Sequence, residues 1–392
     1  MKILHLCLDA PFNDDWGYQD NLLPKYQKKL GHSVTIITTN TIQENGIIKK
    51  VDCARYFLNN GIEIIRLDYK TVGFYPFKKL KKKFDIYPLI IELKPDYIFS
   101  HGLLNYSFYQ VIRYKKKVHD CILIQDNHLD ENIGFKVHNI KDFVIRGYYR
   151  HLNRYTQKYV TKVYGVTPWR KTYAEKYFKI SPQKTDVLIM GADDENIDFE
   201  NKIKIKNTIR EQYGVTQNDF LIVTGGKIDQ KKNIDLLIDA CGNQNNVKLL
   251  IFGSIIDEMK TDFSKKINKY SNIIYVGWVN SEKVYDYFFS ADLVFFPGQH
   301  SVLWEQACAS KVPCVFKRWK GMTHVNNGGN ADFLNDISIQ SITDKIQELR
   351  FTDKYFHMKE IANSSATDVY LYSNIARKSL ECVEWNEKKY FE

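Results

Sequence analysis

The feature that most constrains this chain is the recurrence of short, nearly all-apolar, β-rich runs separated by helical or polar stretches. Lys2–Leu8 opens the series, and a helical stretch near Leu22–Leu30, Gly31 and a second run, Val34–Thr38, follow. Runs at Ile62–Leu67, Tyr97–Ser100, Cys121–Gln125 and Tyr164–Thr167 continue it. A second series comprises Phe220–Thr224, Val247–Phe252, Ile273–Val276, Leu293–Phe296 and Cys314–Phe316. Near-continuous apolar runs between helical stretches belong to parallel strands covered on both faces. Two such series predict an α/β chain of two Rossmann-like, doubly wound domains, and 392 residues is more than one core usually serves. The expected domains are 1–185 and 186–372, with the change of domain around Ser181–Phe199, where Pro182, Gly191 and a cluster of acids break the pattern. Residues 373–392 are expected to form a C-terminal helix, around Ser373–Trp385, that packs back across both domains.

Charge separates the halves. Residues 1–190 carry 31 Lys/Arg against 18 Asp/Glu, whereas the remainder carries 25 against 28, so an anionic partner is expected for the first half alone. Seven scattered cysteines without a C-x-x-C pair suggest neither a disulfide framework nor a zinc site and fit a reducing compartment. No signal peptide is expected at Met1, and no segment reaches the roughly 18 apolar residues of a membrane span, so the expected location is the cytoplasm.

Two segments of the second half carry candidate chemistry. In Leu293–Ala307 a strand, a glycine-bearing turn and a helix succeed one another, so Ser301 and Val302 stand at a helix start beyond the carboxyl end of a strand, where free N–H groups can meet a phosphate. Ser301 is the expected N-cap. Glu305, one turn further on, can reach a ribose diol or can simply be solvated. In Thr224–Asn233, Gly226 lets a diphosphate approach the backbone, and Lys227 and Lys232 can neutralise the charge on a departing diphosphate in place of a metal. A solvated lysine turn is the bland alternative, and the P-loop order is absent.

With these residues in view, the chain resembles the retaining family-four glycosyltransferases of the GT-B fold. Lys227 and Lys232 match that family's Gly-Arg turn and following Lys, with Lys for Arg; Glu305 matches the second glutamate of its Glu-x7-Glu motif. Glu305–Ala309, Val312–Val315, Ala291–Leu293, Lys2–Leu8, Leu30–Thr38 and Asp96–Gly102 also look like the family. The resemblance implies a hexosyltransferase using a nucleotide diphosphate sugar, with retention, and no metal or other cofactor is expected. One departure stands out: the first glutamate is replaced by Pro297, followed by Gly298, Gln299 and His300. His300 can substitute by donating to a sugar hydroxyl or phosphate, or it can be structural. His324, in Gly321–His324, is expected to face the cleft between the domains. On the acceptor side His101 and Asp126-Asn127-His128 end two strands; the resemblance makes His128 the histidine facing the reacting sugar, with Asp126 as its partner, unless the pair caps a loop. Gly17 corresponds to the family's glycine-bearing loop under the donor phosphates.

Phe74–Phe84 interleaves aromatics with lysines, and Arg146, Arg150, Arg154, Lys158 and Lys162 recur every four residues, as a slowly turning stripe on one expected helix. Both suit an anionic membrane surface. The expected function is therefore sugar transfer to a lipid-linked or saccharide acceptor at the inner face of a cell membrane, in capsule, O-antigen or other surface-polysaccharide synthesis. A nucleotide-sugar epimerase of the same fold would not need the basic stripe. A nucleic-acid-binding protein, which is not expected, would leave the phosphate-like turns of the acidic half without a purpose.

Overall fold

A computed structural model describes residues 1–44, 46–74, 77–131 and 140–381, with residues 74 and 77–81 described by their backbone. The chain divides into two compact units: Met1–Ile189 together with Ile375–Glu392, and Met190–Asn374.

The sheet of the first unit contains β1 (Lys2–Cys7), β2 (Ser33–Thr39), β3 (Ala54–Phe57), β4 (Glu63–Leu67), β5 (Tyr97–Ser100), β6 (Ile122–Asn127), β7 (Lys162–Gly165) and β8 (Thr185–Val187). Their order is β8-β7-β6-β5-β1-β2-β4-β3, all parallel except the edge strand β3. Ile3 pairs with Val34 on one side and Tyr97 on the other, which places β1 at the centre, between β2 and β5. Direction of winding reverses between β1 and β5, so loops leaving those two strands diverge and open a crevice at their carboxyl ends. Leu4, Leu6, Ile98 and Leu123 fill the core against Phe108, Val111 and Phe178. Each fully buried aliphatic side chain contributes about 1.5–3 kcal/mol relative to exposure.

In the second unit, β9 (Phe220–Gly225), β10 (Val247–Phe252), β11 (Ile273–Gly277), β12 (Leu293–Phe296), β13 (Cys314–Lys317) and β14 (Ala331–Leu334) form a wholly parallel sheet in the order β11-β10-β9-β12-β13-β14. Its reversal lies between β9 and β12. Phe220, Ile222, Leu249, Ile251, Leu293 and Phe295 meet Leu237 and Ile238 of α3 (Ile234–Gly242) and Ile346 of another covering helix. The sequence pattern did not single out β3, β8 or β14, which are only three or four residues long, or the hairpin that pairs Thr41–Glu44 with Ile47–Lys50.

Two expectations for the helices need correction. Arg146, Arg150 and Arg154 lie on α2 (Ile140–Thr156), but that helix stops short of Lys158 and Lys162. The Thr161 N–H donates to Leu123 O, drawing the chain into the sheet, and Lys162 starts β7. The exposed face of α2 instead runs Ile140, Phe143, Gly147, Arg150, Arg154, while Arg146 is half-buried with its guanidinium 5.2 Å from the Tyr177 ring centroid. The last described helix, α5 (Tyr372–Ser379), ends at Ser379, and Trp385 lies outside the described residues. Tyr75, Pro76 and the side chains of residues 74–81, central to the lysine-rich stretch, also lie outside them.

Candidate functional site

Two clusters stand at the crevice positions of the two sheets. In the second unit the loops leaving β9 and β12 are stitched together. Lys232 Nζ donates to Gln299 O at 2.7 Å, Gln299 N to Lys231 O at 2.9 Å, and Asn233 Nδ2 to Pro297 O at 3.0 Å. Gly298 is required by this approach, because a Cβ there would lie 2.3 Å from Lys232 Cα. Proline at 297 thus occupies a tight loop–loop junction, offering a carbonyl to Asn233. Gly226, at φ +104°, turns the chain out of β9, and Lys227 next to it is exposed. Lys232 is largely enclosed, and burial pulls its pKa below the usual lysine range.

The helix after β12, α4 (Leu303–Ala309), corrects the capping expectation. Val302, not Ser301, precedes it, and no side chain caps it. Val302 has helical dihedrals rather than the extended ones that aim a capping oxygen at the first turn; Ser301 Oγ is buried and forms no hydrogen bond. Glu305 is neither solvated nor open. Its side chain is fully buried, and Oε1 accepts from His300 Nε2 at 2.8 Å and His324 Nε2 at 2.7 Å. Burial alone would raise Glu305, but the two histidines outweigh it and hold its pKa at about 2. Its second oxygen, Oε2, is buried with no partner, which leaves one acceptor unspent. His300 and His324, expected to face substrate, are therefore drawn inward onto the carboxylate.

In the first unit, His101 and His128 gather beside Asp126 around a pocket of about 270 Å³ at the carboxyl ends of β1, β5 and β6. Asp126 Oδ1 accepts from Gly102 N at 2.7 Å, and Oδ2 lies 3.2 Å from both His101 Nδ1 and His128 Nε2. Gly17 is exposed and does not line this pocket; Asp20, from α1 (Gln19–Lys29), does, with Oδ1 3.1 Å from His101 Nδ1.

Behind His101 runs a chain of hydrogen bonds whose directions are determined. The Ser379 hydroxyl donates to Ala376 O, so it must accept from Gln27 Nε2; Gln27 Oε1 then faces His5 Nε2 at 2.7 Å, which must carry a proton. His5 is fully buried; burial, then the charge on His101, lowers its pKa to about 3, so its Nδ1 is bare and accepts from His101 Nε2 at 3.0 Å. That leaves His101 Nδ1 between two carboxylates. Burial would lower His101, yet Asp20 and Asp126 outweigh it and bring it up to about 10, an imidazolium at neutral pH. Asp126, which burial would raise, is held far below the usual carboxylate range by His128 and His101.

These values set a pH profile. Between pH 6.5, the ordinary histidine value, and about 10, the unfolded chain releases a proton that folded His101 keeps, so stability falls as pH rises. Below pH 6.5 the unfolded chain binds a proton that folded His5 refuses, so stability falls towards about pH 3 as well. His101→Gln is expected to flatten the alkaline limb in a series of melting temperatures against pH; an unchanged limb would mean that His101 is neutral.

Both clusters contain metal-ligand residue types. Glu305 meets its histidines at hydrogen-bond separations, shorter than the about 3.3 Å that two ligands of a tetrahedral zinc keep. His101 Nδ1 and His128 Nε2 each lie 3.2 Å from Asp126 Oδ2, also inside that separation. Sequence reasoning found His101, Asp126 and His128 but missed His5, Asp9, Asp20 and Gln27. A histidine in the middle of the apolar run Lys2–Leu8 was the available signal.

Residues 205–359, which contain the whole second cluster, match the family model of glycosyl transferases group 1. The processive diacylglycerol alpha-glucosyltransferase of Acholeplasma laidlawii is 24% identical over 182 residues, 43% of this chain and 54% of that protein. The chain spans about half the length of the curated relatives it matches. Among solved structures, a glycosyltransferase from Rickettsia africae superposes with a TM-score of 0.68 at 15% identity, covering 97% of each chain. Anabaena Alr3699/HepE in complex with UDP gives 0.66 at 14% identity, covering 97% of this chain and 99% of that one. Residues 205–359 of the second unit thus match the glycosyl transferases group 1 model, in a chain with the fold of the GT-B glycosyltransferases.

Proposed function

We propose that this protein transfers a hexose from a nucleoside diphosphate sugar to a lipid-linked or saccharide acceptor, with retention and without a metal, at the inner face of a cell membrane. The observation that carries the reading is the junction of the β9 and β12 loops at the sheet's reversal. It ties Lys232 to Gln299 and sets Gly226 against Leu303 of α4, the helix that carries Glu305. A diphosphate lying over Gly226 would meet exposed Lys227, and Lys232 would add positive charge as the leaving group gains negative charge. Glu305 Oε2, buried without a partner, would accept from a ribose hydroxyl once the side chains over it move aside. Holding His300 and His324 on Oε1 keeps that carboxylate ionised.

Membrane docking through the first unit rests on α2, whose exposed face sets Ile140 and Phe143 ahead of Arg150 and Arg154. Basic residues near an anionic leaflet contribute about 1 kcal/mol each, and apolar neighbours add insertion. No described helix is long and apolar enough to cross a membrane. Synthesis of a surface polysaccharide or glycolipid is the setting that fits such a transferase.

Thermal stabilisation by a panel of nucleotide sugars tests the donor half. A ligand at 100 times its dissociation constant adds about 2.7 kcal/mol. A nucleoside diphosphate sugar is expected to raise the melting temperature in the presence of a chelator, and Lys232→Ala to reduce the shift. No shift with any of them would overturn the reading.

A further inference from the structure

The pocket of the first unit has an unexpected sign for a unit so rich in lysine and arginine. Its lining includes the carboxylates of Asp9 and Asp20, the two histidines already described, and an apolar wall of Leu8, Leu103, Leu104 and Leu129. Among the described residues, no lysine or arginine lines it. The His101 imidazolium on its wall already stands between two carboxylates. Its Nε2 is spent on His5, and its Nδ1 faces Asp20 and Asp126, in line with neither. Asp9 sits against the turn at Gly102, close enough that a Cβ on that glycine would fall 2.5 Å from its Oδ2.

We propose that this pocket admits the uncharged, hydroxyl-bearing end of an acceptor with an apolar body and rejects a phosphate, with Asp9 as the hydrogen-bond acceptor for the incoming hydroxyl. The inference rests on the reading that the first unit receives the acceptor, and it narrows that reading to neutral alcohols such as a lipid alcohol or an alkyl glycoside. Asp9 and Asp20 on the wall, with Asp126 beside His101, make the local potential negative. A phosphate dianion brought beside these carboxylates is repelled, and the repulsion scales with its charge. The hydroxyl suffers no such penalty. It can donate to a carboxylate while the carbon body lies on the leucines, where each buried methylene is worth about 0.8 kcal/mol. The basic surface outside the pocket is then free to hold a membrane rather than the reacting group.

The test uses the full chain and three short probes below their micelle-forming concentrations: n-octyl glucoside, 1-octylglycerol and octyl phosphate. Binding is read by titration calorimetry, and its place by shifts of the His128 ring signals in NMR spectra. One or both neutral probes are expected to bind and shift His128, and the tighter of the two names the source, glycolipid or lipid alcohol. Octyl phosphate is expected to bind at least tenfold more weakly. Asp9→Lys, at an exposed position where the fold should be unaffected, is expected to reverse that order. Octyl phosphate binding as tightly as the neutral probes, failure of both neutral probes to shift His128, or an order unchanged by Asp9→Lys would each overturn the proposal. None of these outcomes touches nucleotide stabilisation of the second unit, so this inference and the proposed function fail separately.

Discussion

Asp126→Ala is expected to destabilise the first unit by about 3–5 kcal/mol, the usual cost of removing one partner from a buried charge network. The carboxylate is fully buried and holds His101, His128 and the Gly102 N–H at once. Its loss leaves the His101 imidazolium facing Asp20 alone and removes the partner that orients His128. Asp126→Asn keeps the acceptor for Gly102 but removes the charge, so it should lie between wild type and alanine, with His101 titrating nearer its ordinary range. Denaturant midpoints for the three proteins check the order. An unfolding free energy for Asp126→Ala within about 0.5 kcal/mol of wild type, the scatter of ordinary surface substitutions, would show that the cluster does not stabilise the fold.

The second large effect concerns rate rather than stability. Lys232→Ala removes one hydrogen bond to the Gln299 carbonyl, worth about 1 kcal/mol, and the protein should remain folded. If Lys232 also stabilises the departing diphosphate, turnover should fall about 10²–10³-fold, the usual effect of deleting one preorganised donor to developing charge. The two magnitudes separate a structural lysine from a catalytic one. Turnover reduced by no more than a few fold, with a melting temperature a few degrees lower, would assign Lys232 to loop stitching alone.

Parts of the candidate site were legible for different reasons. Lys227, Lys232 and Glu305 could be picked out because each follows a strongly apolar strand within ten residues, so local pattern places it in the turn or helix beyond a strand's carboxyl end. The strands themselves were readable wherever four or more consecutive β-formers stood between helical stretches, as at Val247–Phe252 and Leu293–Phe296. Ser301 was misjudged because capping depends on dihedrals, and the turn before α4 adopts helical ones at Val302. The α2 stripe was extended too far because spacing by four continues through Lys162, although pairing with β6 claims that residue for the sheet.

The sequence by itself determined two parallel α/β units, the residue types at their crevices and the charge contrast between the halves, because these follow from local periodicity and composition. Tertiary structure alone decided the state of those residues. Gln27 and Ser379, 352 positions apart, set the tautomer of His5 and through it that of His101. His300 and His324 turn inward because a carboxylate deprived of water takes the nearest donors available. Protonation and hydrogen-bond direction depend on burial and on partners distant in the chain, and no local pattern carries that information.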